Sequence, residues 1–423
     1  MISKGTFYTV LNGIAQFVKA ISSLIINKVI VVLLGSPALL FVGNLKSVFT
    51  ILQQISGAGV YEGAVKYLSG EYKDRQTFIL QACLSLMLVG FFISTALYFT
   101  LYDQILDLLQ LGKNDRNLIP WLTGGIVLSL LCFVFHTLMQ SFFHGLKSYK
   151  IIVQSTFITA LLTLVVSTAL IYYANKLGLI LSVFVPSVTL LLTYCFHFRK
   201  SWHFGRVLLY KPFRLFVFQP VLSFTAMSAV AAIVFPSVLI TIRTLLVEHS
   251  GVELASYWEG YSRLSLFMSG LAISSISLYY LPKLVEANTG KEMLKVVLWG
   301  VKFLFAVAFP AMLLILLFGS DVISLLYTTN FLKAIFLLKW ELLGTFLKLL
   351  SFTVSFIMIA KKLTIVFVLS ELISGLVFFG LSVLLVEMYG VVGASIAFAG
   401  TYFLYLLWAV IYFGSRFRFF EKD

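Results

Sequence analysis

The sequence predicts an all-α polytopic membrane protein with about twelve transmembrane helices, and three observations carry that prediction. Of its 423 residues, 60% are hydrophobic and only 11% charged, where soluble chains average about 45–50% and about 25%. Mean hydropathy is +1.01. The apolar residues also gather into runs of about 20 or more, the length a helix needs to cross a hydrocarbon core of about 30 Å. A soluble domain is excluded.

In chain order the predicted spans are 6–34, 39–60, 78–102, 118–143, 151–174 and 179–198, then 218–247, 254–281, 297–318, 331–360, 363–386 and 391–413. The first run is longer than a signal-peptide core and no small-residue cleavage site follows it, so it reads as a retained helix. The turn residues Gly35 and Ser250 close the first run of each half. Loops are short except for 199–217, which carries five cations and Pro212. That linker divides the chain into an N-terminal six-helix bundle (1–198), a basic cytoplasmic linker (199–217), a C-terminal six-helix bundle (218–414) and a cytoplasmic tail (415–423). The layout suggests a duplication, with Gly43-Asn44-Leu45-Lys46 and Gly260-Tyr261-Ser262-Arg263 at similar depths of the second span in each half.

The formal charge is +14, from 31 Lys and Arg against 17 Asp and Glu. With the N-terminus inside, 18 cations fall in cytoplasmic segments and only Lys113, Arg116 and Lys176 in the opposite loops. That bias places both termini in the cytoplasm of a multi-pass inner-membrane protein. Ten cations remain within or beside the spans: Lys19, Lys28, Lys46, Lys66, Arg243, Arg263, Lys302, Lys333, Lys339 and Lys348. Four acids accompany them, Glu62, Glu259, Glu341 and Glu371. A charge at the helix centre costs about 2.5–3.5 kcal/mol on insertion scales, so most of these cations must face protein or water. Lys66 and Lys333 sit near span ends and can snorkel.

Helical spacing shows which polar groups share a face. Asn12, Gln16, Lys19, Ser23 and Asn27 form one stripe, with Lys28 off it. Lys46, Thr50, Gln53 and Gly57 form a second, and Glu259, Arg263, Gly270, Ser274 and Ser277 a third. Glu341, Thr345, Lys348 and Ser355 form a fourth, with Lys339 on the other side. Stripes of Ser, Thr and Gly alone are commonly helix contacts, whereas a Lys or Arg in the stripe favours a wet face. An interior richer in cations than acids calls for an anion, and phosphate or pyrophosphate suits Lys as a point charge and Arg as a fork. Glu371 is the deepest carboxylate and is open to two readings, a H⁺ or Na⁺ site or a salt bridge. His136 with Gln140 reads as a buried hydrogen-bonding pair.

Catalytic and metal sites are not indicated. No Walker, HExxH or GxSxG motif occurs, and Cys83, Cys132 and Cys195 stand singly in apolar runs as packing residues. The longest outer loop, 103–117, is short for a catalytic domain. Neither a cofactor nor a nucleic-acid partner is expected.

Several strings resemble the Wzx-type O-antigen and enterobacterial common antigen translocases, lipid-linked oligosaccharide flippases of the MATE-like MOP superfamily. They are Ser56-Gly57-Ala58-Gly59-Val60 with Lys66-Tyr67, Leu278-Tyr279-Tyr280-Leu281-Pro282-Lys283-Leu284, Trp340-Glu341-Leu342-Leu343-Gly344 with Leu347-Lys348 and Ile359-Ala360-Lys361, and Ser370-Glu371. The resemblance covers nearly the whole chain. It implies a V-shaped pair of six-helix bundles around a cationic cavity, moving undecaprenyl-pyrophosphate-linked oligosaccharide from the cytoplasmic to the periplasmic leaflet. Positions similar to the family's cations are Lys19, Lys28, Lys46, Lys66, Arg243, Lys302 and Lys348, Arg263 adds a further cation, and the headgroup site is expected among Lys19, Lys28, Lys46, Arg243, Arg263, Lys302 and Lys348. Glu259, Glu341 and Glu371 are candidates for ion coupling or salt bridges, membrane lipid surrounds the chain, and a glycan polymerase with chain-length machinery would act beside it. An ion-coupled exporter of the same fold and a membrane glycan polymerase or ligase are the rival readings.

Overall fold

A computed structural model describes residues 4–57, 59–69, 76–112, 115–198, 218–361 and 363–416. The linker cations Arg199, Lys200, Arg206, Lys211 and Arg214, with Lys113 and the end of the tail, lie outside the described residues. So do the side chains of Glu62, Lys66, Ser274 and Ser277.

Helices make up the fold among the described residues: α1 Lys4–Leu34, α2 Pro37–Gly57, α3 Val60–Ser69, α4 Gln76–Thr100, α5 Tyr102–Leu108, α6 Ile119–Gly145 and α7 Tyr149–Phe198. The remainder are α8 Phe218–Glu286, α9 Gly290–Leu317, α10 Gly319–Leu326, α11 Leu337–Ala360, α12 Thr364–Tyr389 and α13 Val391–Arg416, with a 3₁₀ turn at Thr329–Ala334. Ten apolar stretches are long enough to cross a membrane among the described residues, two of them 49 and 41 residues long. Those two double back at Asn175 and Gly251, where the backbone is non-helical. Counted as two spans each, they give the twelve expected.

The turns show why the chain reverses where it does. Gly35 and Gly251 have φ of 82° and 81°, a left-handed conformation that costs a residue with a Cβ. The turn residue of the second half is therefore Gly251, one position beyond the expected Ser250. A second pair of turns matches as closely. Asn175 has φ 47° and Gly390 φ 60°. Three residues on, a Cβ at Gly178 would meet Leu170 O at 1.8 Å, and one at Gly393 would meet Leu385 O at 2.0 Å. Each glycine sits eight residues after the carbonyl it touches, so the same tight turn is built twice, as a duplication requires. Threonine pairs zip the two arms of α7 below their turn, Thr159 to Thr193 at 3.2 Å and Thr163 to Thr189 at 3.3 Å.

Two helix starts differ from expectation by six or seven residues. Helix α9 begins at Gly290, seven residues early, because Thr289 and Glu292 form a capping box, a T-x-x-E signal legible in the sequence. Helix α11 begins at Leu337, after the 3₁₀ turn that carries Lys333. Lys333 is thus not an intramembrane cation; it is exposed and pairs with Glu253 at 3.5 Å. The short helices α3, α5 and α10 were not expected as separate elements. Near α5, Lys176 pairs with Asp115 at 2.8 Å, joining the two loops expected on the outer side.

The chain forms two compact units, Met1–Leu34 with Phe41–Ser237, and Gly35–Leu40 with Val238–Asp423. The division falls inside α8 and not in the linker, and the turn between α1 and α2 groups with the second unit.

Candidate functional site

In the second unit the two arms of α8 bring Arg243 and Arg263 onto one carboxylate. Arg243 Nε donates to Glu259 Oε2 at 2.7 Å and Arg243 Nη2 to Oε1 at 3.5 Å. Arg263 Nε donates to Oε1 at 2.8 Å, and its Nη2 donates to Leu39 O at 2.9 Å. The three side chains are only 4%, 3% and 9% exposed for Arg243, Glu259 and Arg263. Burying a charge is costly unless it is paired and hydrogen-bonded, and here both carboxylate oxygens are engaged. Glu259 therefore serves as a structural counter-ion between two guanidiniums.

The arm is held by a clamp that sequence reasoning missed. Tyr261 Oη donates to Phe331 O at 2.9 Å and Tyr327 Oη to Gly260 O at 2.8 Å. Rings of Tyr327 and Phe331 stack at 4.6 Å. A Cβ on Gly260 would meet Phe331 at 2.5 Å, so glycine allows the close approach. The i, i+4 spacing of Tyr327 and Phe331 is visible in the sequence, but their partner arm is not.

A second charged cluster lies on α11. Ser395 donates to Glu341 Oε1 at 2.8 Å, and Thr345, one turn on, bonds Ser265 of α8 at 2.5 Å. Lys348 sits 5.4 Å from the Tyr402 ring centre and 6.0 Å from that of Phe398, within cation–π range. Lys348 shares the buried face of α11 with Glu341, seven residues before it. Further along, Ser355 and Ser370 both reach Tyr405 Oη, at 3.0 and 3.2 Å. Glu341, Thr345, Lys348 and Ser355 are all buried. This stripe was expected to be wet, and it is instead packed against α13 and α8. The reason is Gly344, where a Cβ would meet Phe398 at 2.3 Å; a small residue brings the helices together. Lys339 lies off that face, exposed, with its ammonium 5.7 Å from the Trp340 ring.

The remaining cations divide from these by burial. Lys19 and Lys46 of the first unit and Lys302 of the second are exposed at mid-helix positions. Lys302 lies away from the face of α9 that buries Val297, Gly300 and Leu304, so the structure does not bring it to Lys348. Lys28 lines a groove with Val32 and Tyr172 in the first unit, apart from the Lys19 stripe. In that stripe Asn27 is buried whereas Lys19 and Ser23 are exposed. Gln53, on the Lys46 stripe, donates to Ser187 at 3.2 Å. His136 is buried with its Nδ1 unbonded among the described residues and its ring 5.2 Å from that of Phe133. The expected His136–Gln140 pair is thus replaced by an aromatic contact. Of the buried cations in the second unit, Arg243 and Arg263 both pair with Glu259, and Lys348 lies on the same buried helix face as Glu341.

No family model matches the chain. It is 24% identical over 417 residues to the lipid III flippases of Escherichia coli (strain K12) and Shigella flexneri, covering 96% of each partner chain. Among solved structures, an inward-facing multidrug resistance MATE family transporter of the MOP superfamily superposes with a TM-score of 0.79 at 12% identity, over 96% of both chains. A Pyrococcus furiosus MOP superfamily transporter noted for a binding pocket of reversed polarity gives 0.76 at 12% identity, over 98% of this chain and 95% of that one. The lipid II flippase MurJ in an inward closed conformation gives 0.71 at 16% identity, over 95% and 87%. The chain is therefore a multi-pass membrane protein with the fold of the MOP-superfamily transporters.

Proposed function

We propose that the protein is a transporter, not an enzyme, that flips a lipid-linked oligosaccharide across the membrane, with the pyrophosphate of an undecaprenyl-linked glycan as the recognised headgroup. One observation carries this reading: Lys19, Lys46 and Lys302 are exposed at mid-span positions. At such depths a cation facing lipid is costly, and a site that receives an anionic headgroup removes that cost. The likeness to lipid III flippases over nearly the full length supports the substrate class.

In this mechanism the two units alternate access, and the exposed lysines meet the phosphates while the prenyl tail stays in lipid. Arg243 and Arg263 contribute by exchanging Glu259 for a phosphate oxygen, since their forks already point at a carboxylate of similar geometry. Glu341 and Glu371 are the groups through which H⁺ or Na⁺ would couple. Both termini lie in the cytoplasm of an inner-membrane protein, and the glycan is an O-antigen-type repeat unit handed to a polymerase.

The test is complementation of a flippase-deficient strain. Lys19→Gln with Lys302→Gln, at normal protein levels, should reduce surface glycan by about tenfold or more, the scale of one lost charge-assisted hydrogen bond. Full glycan synthesis by that double variant overturns the assignment.

A further inference from the structure

Helix α9 carries its lysines on the face it does not pack. Its buried face is Met293, Val297, Gly300 and Leu304. A Cβ at Gly300 would meet Tyr280 at 2.7 Å and Thr353 at 3.4 Å, so that face is seated on α8 and α11. At about 100° per residue, Lys295 and Lys302 lie about 20° apart and on the opposite side of the helix. Both are exposed, and Lys291 extends the same line to the first turn.

The capping box of Thr289 and Glu292 fixes where the helix starts, and with it the height of each lysine. Lys295 stands five residues after Gly290 and Lys302 twelve, about 8 Å and about 18 Å along the axis at about 1.5 Å per residue. Leu298 lies between them, and Ala306, Phe309 and Leu313 continue the face beyond Lys302, all exposed. No acid shares this face. The carboxylates near the helix start are engaged elsewhere: Glu286 pairs with Lys283 at 2.9 Å, and Glu292 accepts the Asn288 backbone N–H at 2.9 Å. A lysine at mid-helix depth is costly to hold against lipid. An anionic headgroup with an apolar tail removes that cost, because the charge meets the lysines and the tail covers the apolar face beyond them.

We propose that Lys295 and Lys302 form a two-cation loading site for the lipid-linked pyrophosphate, one ammonium to each phosphate, with the start of the prenyl chain along Phe309 and Leu313. This rests on the transport reading above and adds Lys295 to it, at the end of α9 expected on the cytoplasmic side, where the lipid is taken up. Long flexible stems let both ammonium groups reach along the helix to one headgroup. A lipid with a single phosphate engages one ammonium and leaves the other unmatched.

The experiment uses the full chain, purified in detergent, stripped of lipid and titrated with undecaprenyl pyrophosphate or undecaprenyl monophosphate, with retained lipid counted by native mass spectrometry. Wild-type protein should retain the pyrophosphate about fivefold more strongly, the worth of one further interfacial lysine. Lys295→Gln should lower retention of the pyrophosphate about fivefold and leave that of the monophosphate nearly unchanged, and Lys295→Arg should keep the wild-type preference. An undiminished preference in Lys295→Gln, or an equal loss for both lipids, overturns this site and leaves the transport reading in place. Equal retention of the two lipids by wild type overturns both. Displacement of undecaprenyl pyrophosphate by an equal concentration of phosphatidylglycerol also overturns the site, assigning the face to bulk anionic lipid.

Discussion

Glu259 lies between two guanidiniums, and removing it differs from removing either of them. Glu259→Gln leaves Arg243 and Arg263 facing each other in a buried site, which should destabilise the protein by about 3–5 kcal/mol. Arg263→Met leaves a buried one-to-one pair with Arg243 and should cost less, although the bond to Leu39 O is lost. Thermal unfolding in detergent separates the two; equal losses would show that Glu259 is not the shared counter-ion. Lys348→Met should destabilise as well, since it removes the buried cation on the helix face that also buries Glu341. A reduced unfolding temperature checks this, and an unchanged one contradicts it. The identities of these charges were legible in the sequence, and the i, i+4 pairing of Glu259 with Arg263 follows from helical spacing. Arg243 as the third partner was not, because it comes from the other arm of a helical hairpin and spacing within one helix is silent on neighbours.

At the scale of the element, the informative residues are those at turns. Gly251→Ala places a Cβ at φ 81° and should cost about 1–3 kcal/mol, read as a lower unfolding temperature. Gly178→Ala and Gly393→Ala should give similar losses, since each drives a Cβ into a carbonyl eight residues back. A large effect at one and none at the other would contradict the repeated turn. The spans themselves were readable from hydropathy because lipid demands about 20 apolar residues per crossing. Which face of a span is buried was less so. In a soluble helix polarity marks the outer face, but in lipid the outer face is apolar too. The Glu341 to Ser355 stripe shows the consequence. Its polarity pointed to water, whereas Ser395, Tyr402 and Tyr405 of α13 and Ser265 of α8 receive it. The start of α9 is set by the Thr289 capping box and not by the hydropathy boundary, which lies seven residues later.

For the whole molecule, the sequence showed ten cations within or beside the spans against four acids, and the structure sorts them. Lys333 drops out to the surface. Arg243, Arg263 and Lys348 are buried with Glu259 and Glu341 on the same helices or helix face, the Lys66 side chain lies outside the described residues, and Lys19, Lys28, Lys46, Lys302 and Lys339 remain to explain the surplus. Buried charges pack within the second unit, and the proposed function assigns the exposed lysines, together with Arg243 and Arg263 on exchange with Glu259, to an anion. The most direct measurement is transport by the purified protein in vesicles, comparing a prenyl-pyrophosphate-linked oligosaccharide with the same glycan on an uncharged linkage. Movement of the pyrophosphate-linked lipid at least tenfold faster, lost in Lys19→Gln with Lys302→Gln, is the predicted result. Equal movement of both lipids, or of neither, would contradict it.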